Sequence, residues 1–344
     1  MHFRRLAVLC LFTATVCGQG LPSEPTSFLQ KQLSFTAADL ASLERGQTIT
    51  RLPKTAETRE VAAFAIMRLD VSGDFFLAKM RDIVTFKKSD NVLQIGKFSD
   101  PPKIEDLAGL TLDPSEIESI HRCRANSCDL KMANAWIERF RKEINWSAPD
   151  YRERVNTLYR TLLLEHVKSY QQAGNRGLGE YNDRSYALKL ADEFQSLLQP
   201  AAYMYGYNAE FQKYLVNFPD FRPADAENFV YWSKEKFGLK PVVSMTHISV
   251  YKVPHANGPD ILIASKGIYA NHYFETSMGL TCFIHSQSTS LQRTYLIYIN
   301  RSRTDALRGM FGGLKRSLIS GSLRDGAKKN MDMIKLKLET EYRK

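Results

Sequence analysis

From Ser265 to Glu275 the chain reads Ser-Lys-Gly-Ile-Tyr-Ala-Asn-His-Tyr-Phe-Glu, its strongest concentration of groups able to hold or transfer a proton. An imidazole beside a phenol and an ammonium suits general acid and base work, and the same groups converging in an apolar pocket suit a ligand site. Alternation along a regular strand puts Lys266, His272 and Phe274 on one side and Tyr269, Asn271, Tyr273 and Glu275 on the other, unless a bulge intervenes. His247 and Tyr251 share a face of the preceding strand, and Tyr298 and Asn300 share a face of the following one. If these strands curve round a cavity, one of the sets lines it. The candidate ligand-lining residues are therefore His247, Tyr251, Lys266, Tyr269, His272, Tyr273 and Tyr298. The competing reading gives all of them structural or solvated roles, and no residue is assigned as catalytic, since neighbourhood in sequence supplies neither geometry nor a perturbed pKa.

Other chemistries lack their residues. There is no Gly-x-Ser-x-Gly elbow, no His-Glu-x-x-His pair and no Walker-type loop. The glycines of Gly174-Asn175-Arg176-Gly177-Leu178-Gly179 follow a helical pattern, whereas a phosphate cradle follows a strand, so they read as a loop between helices. Cys123 and Cys128 lie close enough to close a small disulfide loop. His121 beside them does not make a zinc site, which needs about four ligands. No metal and no cofactor is expected. Cys282 sits in an apolar run and reads as a buried thiol. Arg301 and Arg303 end a strand, where they either clamp a carboxylate or phosphate or face solvent.

A chain of 344 residues, 44% hydrophobic and 24% charged, is composed like a folded protein and can bury a large core. Arg4 and Arg5 precede an apolar run from Leu6 to Cys17 and a small-residue exit, the pattern of a signal peptide over residues 1–18. That run is too short to span a bilayer, which takes about 20 residues. A lipidated Cys17 is the alternative, disfavoured by Val16 where a small residue is wanted. The expected mature protein is exported, periplasmic or secreted, and so permissive for disulfides.

Residues 19–58 are polar and Pro-containing and read as a leader with one short helix from Thr36 to Arg45. One domain then spans 59–344. A strand near 60–69, a helix capped by Ser72 and running through Val84, and a strand near 91–98 come first. Asp113-Pro114-Ser115-Glu116 opens a helix ending at the cysteine loop, and helical periods continue to about 237, a helical insertion at about 103–237. Strands follow at 241–253, at 261–284 with a break or bulge near Ala270 or Ser277, and at 295–301. A closing helix keeps an apolar stripe from Leu307 to Leu338, interrupted at Ser320-Gly321-Ser322. The tyrosines at 203, 205, 207 and 214 are explained by packing between short helices.

This element order resembles the helix-grip fold of the START and Bet v 1-like superfamily, over residues 58 to 100 and 238 to 340; no residue motif carries the likeness. The resemblance implies an α+β fold, an antiparallel curved sheet packed on a long C-terminal helix with the helical insertion between strands. It also implies an apolar cavity between sheet and helix for a lipid or other hydrophobic small molecule.

Charge suggests a second partner. Residues 301–344 hold twelve Lys and Arg against five Asp and Glu, most of the formal excess of +10. A basic amphipathic helix can rest on an anionic membrane surface, or simply turn a solvated basic back to water. Nucleic acid is not expected, because no groove-reading motif accompanies the charge. The leading expectation is an exported protein binding a hydrophobic small molecule or lipid. Peripheral docking on anionic membrane through the basic helix, and a hydrolase or cyclase working through His272, are the rivals.

Overall fold

Local signals place most of the helices. Thr36 Oγ1 accepts from Asp39 N at the start of α1 (Ala37–Glu44), Ser72 Oγ accepts from Phe75 N at the start of α2 (Gly73–Arg81), and Pro114 opens α4 (Pro114–Arg122). The computed structural model describes residues 29–31, 33–55, 57–198, 208–254, 258–285, 293–307 and 312–344, with side chains from 321 onward in the last stretch. Around those helices run β1 (Ile49–Arg51), β2 (Glu60–Arg68), α3 (Ile83–Lys87) and β3 (Val92–Lys97). Helices α5 (Asn134–Glu143) and α6 (Tyr151–Ala173), the ribbon β4 (Glu180–Tyr181) and β5 (Leu188–Lys189), α7 (Leu190–Leu198) and α8 (Ala209–Asn217) follow α4. The chain closes with β6 (Glu227–Phe237), β7 (Lys240–Val253), β8 (Asp260–Ala270), β9 (Phe274–His285), β10 (Thr294–Thr304) and α9 (Gly312–Tyr342).

The protein is α+β. Eight strands form one antiparallel sheet in the order β1-β2-β10-β9-β8-β7-β6-β3. The second strand, β2, thus pairs with the last, β10, while β1 and β3 form the two edges. Side chains alternate between two faces. One face carries Phe64, Ile66, Leu262, Leu280 and Ile297, and towards β6 Trp232, Met245 and Tyr269; helices α4 to α8 and the N-terminal segment cover it. We call it the insertion face. The other carries Ala65, Met67, Ile248, Ile263, Phe283 and Leu296, against Phe76 and Leu77 of α2 and Met331 and Leu338 of α9. Helix α9 starts beyond the end of β10, packs along β2 and β1, and ends against α2, where the rings of Phe75 and Tyr342 stand 5.0 Å apart. Burying Met331 and Leu338 contributes about 2 kcal/mol each and holds that end of the helix down.

Four expectations are corrected. First, the insertion ends earlier than 237, because residues 227–237 are strand β6, hydrogen-bonded to both β7 and β3. Its Lys and Glu residues hide the period, while Val230, Tyr231 and Trp232 supply the β-forming core. Second, α9 runs unbroken through Ser320-Gly321-Ser322; two glycines in a long helix cost about 1 kcal/mol each without ending it. Third, the leader contributes core: Leu29, Leu33, Phe35 and Leu43 are buried against Phe64 and Ile66, and β1 extends the sheet. Fourth, the helix after Ser72 stops at Arg81, and Asp82 caps a separate α3. The segments at 1–18, the tyrosines at 203, 205 and 207, and residues 255–257 of the hairpin loop lie outside the described residues.

The Cys123–Cys128 disulfide is present, with Cα atoms 4.5 Å apart, and Cys282 is a buried free thiol. Trp232, buried on the insertion face, donates its indole N–H to Asp106 O at 2.8 Å and so pins the segment after β3. Its ring lies against Gly96, where a Cβ would fall 2.6 Å from Nε1. A Gly96→Ala variant is expected to lose about 1–3 kcal/mol of stability by overpacking, read as a lower urea midpoint with an unchanged slope.

Candidate functional site

Near the Phe274 and Thr304 ends of β9 and β10, the face shared with α9 changes character. Ser244 and Thr246 on β7, Ser265 and Gly267 on β8, Ser277 on β9 and Asn300 on β10 replace the large apolar residues of the other end. The register makes these one patch: Thr246 lies opposite Gly267, Gly267 opposite Ser277, Ser265 opposite Gly279, and Gly279 opposite Asn300. All six of the named side-chain positions are half-buried, so the patch is neither packed core nor open surface. Helix α9, packed along β2 and β1 on this side of the sheet, has Gly321, Leu323, Gly326 and Ala327 half-buried, and a Cβ built on either glycine meets nothing within 4 Å. Small side chains on the strands leave this end of the face a polar floor.

The floor offers hydroxyl and amide groups. Ser302 Oγ donates to Asn300 Oδ1 at 2.8 Å, and Ser233 Oγ donates to Glu235 Oε1 at 2.6 Å. Tyr298 stands beside Asn300, and burial raises its phenol pKa, so it stays a neutral donor at physiological pH. At the β3 edge Lys87 pairs with Glu235 at 2.9 Å and lies 5.4 Å from the centre of the Tyr231 ring. Where one end of this face is Ile248, Ile263, Phe283 and Leu296 and the other is Ser, Thr, Gly and Asn, a molecule lying along it would meet an apolar end and a hydrogen-bonding end.

Of the seven candidate residues only Tyr298 lies on this face. Register irregularity between Met245 and Thr246 makes Ile268 an extra residue in β8, so Lys266 and Tyr269 come to share the insertion face instead of opposing one another. His247 and Tyr251 share that face with them. Tyr251 donates to Glu210 of α8 and stacks on Phe211, with ring centres 5.8 Å apart. Asn271, His272 and Tyr273 form the turn between β8 and β9, with Tyr273 at φ +59° and its hydroxyl accepting from Lys240 N at 2.9 Å.

His272 is a tie. Its Nε2 meets Glu116 Oε1 at 3.3 Å, Asn271 Nδ2 donates to the same oxygen at 2.8 Å, and Asp113 N donates to Glu116 Oε2 at 2.9 Å. Burial opposes ionisation of Glu116, but these bonds together with Lys234 at 3.8 Å outweigh it and lower its pKa. The arrangement joins the β8–β9 turn to the first turn of α4. Arg301 and Arg303 clamp carboxylates of the chain itself: Arg301 Nε donates to Glu60 Oε1 at 2.6 Å, and Arg303 Nη1 to Glu193 Oε2 at 2.9 Å.

Lys266 and His247 make the most perturbed pair. The Lys266 ammonium lies 3.9 Å from the centre of the Phe194 ring and 4.7 Å from that of Tyr170, and donates to Asn175 Oδ1. Burial alone lowers its pKa to about 7. His247 Nδ1 accepts from Tyr170 OH at 2.8 Å while its Nε2 has no partner; burial, then the charges of Lys266 and Arg222, push it down to about 3. A base with a lowered folded pKa binds its proton more readily in the unfolded chain, so His247 withdraws stability as pH falls from 6.5 towards 3. This pair is packed beneath α6 and α7, on the other face of the sheet from the polar floor.

Among the described residues no group of three or more His, Cys, Asp or Glu is placed to hold a metal ion, and no helix is long and apolar enough to cross a membrane. The basic helix spends much of its charge locally: Lys328 pairs with Asp332 at 2.8 Å, and Lys337 donates to Thr85 O and Phe86 O at 3.1 Å each. The floor itself escapes a search for chemically active residues, because Ser, Thr and Gly are read as turn or surface. The signal that finds it is alternation, with short polar residues or glycine at 244 and 246, 265 and 267, 277 and 279, and 300 and 302 on either side of a long side chain, Met245, Lys266, Met278 and Arg301. Comparison with protein-family models, curated proteins and solved structures finds no match to this chain.

Proposed function

We propose that the protein binds a small amphiphilic molecule, such as a lipid, in the groove between its sheet and C-terminal helix, within a helix-grip architecture like that of the START and Bet v 1-like superfamily. The observation that carries this reading is the half-buried polar floor of Ser, Thr, Gly and Asn on the sheet face that α9 shares, continuous with the apolar residues of its other end. A sheet face beneath a helix is ordinarily filled by large apolar side chains, and leaving it unfilled forgoes about 25 cal/mol for each Å² of apolar surface not buried. Strand order supports the architecture: β2 pairs with β10, two short helices lead to an edge strand β3, and the long helix closes the chain. Likeness of fold does not give the ligand. Of the hydrophobic small molecule or lipid that the sequence suggests, the floor's hydroxyls and amide favour a molecule with a hydrogen-bonding head. An exported location remains part of this proposal, with the Cys123–Cys128 disulfide as its support.

Native mass spectrometry of the purified protein should reveal a retained small molecule, and 1-anilinonaphthalene-8-sulfonate should bind with a saturable rise in fluorescence. A Thr246→Phe, Ser277→Phe double variant, which fills the groove from its floor, should weaken the dye at least tenfold with unchanged far-ultraviolet circular dichroism. Wild-type protein that carries nothing and gives no saturable dye signal overturns the reading.

Docking on an anionic membrane has one specific support. Met333 and Leu336 of α9 are 49% and 70% exposed and border the same surface hollow as Lys328 and Lys329. Apolar and basic residues side by side suit an interfacial helix. Sedimentation with vesicles containing phosphatidylserine, abolished by Met333→Asp with Leu336→Asp, distinguishes this reading from the first.

A further inference from the structure

On the insertion face a cavity of about 250 Å³ opens between α5, α6 and the loop 177–181. Its walls include Trp136, His166, Tyr181 and Tyr269, with the carboxylates Glu165 and Glu180 also on the lining. The rings stand steeply to one another: Trp136 and His166 at 6.1 Å and 89°, Tyr181 and Tyr269 at 6.1 Å and 73°, His166 and Tyr269 at 5.8 Å and 61°. Two walls at right angles, each about 4.5 Å from an enclosed cation, have centres about 6 Å apart, the spacing of an aromatic box. Trp136 and Tyr269 are closer to parallel, 5.5 Å apart at 35°.

We propose that this cavity is a second binding site, for an organic cation of the quaternary or methylated ammonium class. Charge agrees with the geometry. In a chain with a formal net charge of +10, the cavity lining holds two carboxylates and neither lysine nor arginine. Glu165 pairs with Arg139 at 2.8 Å, but Arg139 is shared with Glu143 at 2.7 Å, so the trio keeps one negative charge. Among the described residues Glu180 has no cationic partner and accepts a neutral bond from Asn182 Nδ2 at 3.1 Å. His166 adds no competing charge, since its Nε2–H must donate to Ile268 O at 2.8 Å and burial holds its pKa down. The walls are braced from behind. Tyr269 and Tyr159 share a hydroxyl bond at 3.1 Å, and Tyr181 OH accepts from Ala270 N at 2.9 Å, which fixes both rings before any ligand arrives. Lys131 Nζ, 5.7 Å from the Tyr181 ring centre and outside the cavity lining, already uses that ring as a cation acceptor.

Choline and its neutral isostere 3,3-dimethylbutan-1-ol separate cation recognition from simple apolar filling. Isothermal titration of the full chain should show saturable choline binding at least tenfold tighter than the alcohol. Trp136→Ala should remove binding, and Glu165→Gln should weaken choline several-fold while leaving the alcohol unchanged. Trp136→Phe, which keeps a ring on the wall, should retain most of the affinity and guards against loss through misfolding. Equal affinity for the two probes, or no binding of choline by the wild-type chain, overturns the proposal. The groove plays no part in this test, so the Thr246→Phe, Ser277→Phe variant should bind choline as the wild type does.

Discussion

Replacing Lys266 by methionine should make the protein more stable at pH 7 and flatten the rise of stability with pH between about 7 and 10.5. The amine is buried against Phe194 and Tyr170, accepted by Asn175, and paired with no carboxylate among the described residues. Its pKa falls from 10.5 to about 7 because burial penalises the charged form. Between those values the unfolded chain binds the extra proton, so stability climbs as pH rises through the window; the penalty is complete below it and gone above it. At about 1.4 kcal/mol per unit the ceiling is roughly 5 kcal/mol. Loss of ring contacts worth about 2 kcal/mol and of the bond to Asn175, about 1 kcal/mol, leaves a net gain on the order of 2 kcal/mol at pH 7. Urea unfolding of wild type and Lys266→Met at pH 7 and pH 10 measures both the gain and its disappearance. A variant less stable than wild type at pH 7, or a gain that persists unchanged at pH 10, would show that the ammonium is compensated.

The opposite result is expected where a buried charge does have its partner. Arg301 and Glu60 are 1% and 0% exposed, on adjacent strands β10 and β2, and Arg303 lies 3.9 Å from the same carboxylate. Glu60→Gln keeps the shape of the side chain and removes its charge, taking from the buried Arg301 guanidinium the carboxylate it pairs with. The expected cost is about 3–5 kcal/mol, the largest of any single substitution considered. Glu60→Leu combined with Arg301→Met should recover most of it, because removing both charges together removes the desolvation penalty of each. Chemical denaturation of the two proteins tests this, and a Glu60→Gln cost below about 1 kcal/mol would mean that water or acceptors such as Lys54 O already satisfy the Arg301 guanidinium. The pair also clamps β2 to β10 and so holds the strand along which α9 lies.

How much of this was legible beforehand follows the range of the interactions. Ser72, Thr36 and Pro114 act on neighbours three or four residues away, and the helices they start are where their types say. Cys123 and Cys128 close a loop within six residues, and the β-rich texture of 240–304 announced four of the sheet's strands. Strand β6 escaped notice because charged residues at 234 to 236 masked its period. The interruption expected in α9 did not occur, because glycine lowers helix propensity without removing a hydrogen bond.

The candidate site was only partly readable, for a physical reason that Lys266 and Tyr269 illustrate. A single extra residue, Ile268, reverses the side on which every following side chain falls, and its presence depends on how β8 pairs with β7. No local property of the segment announces it. Sequence by itself determined the element order, the caps, the short disulfide and the α+β class, all set by contacts near in the chain or by composition. Tertiary structure alone decided that six of seven candidate residues turn away from α9, and that small residues on four strands meet in one floor. It also brought Trp136, His166, Tyr181 and Tyr269 round one hollow. Those outcomes depend on pairing between strands and helices far apart in the chain, where the position of a side chain is set by its partner and not by its own type.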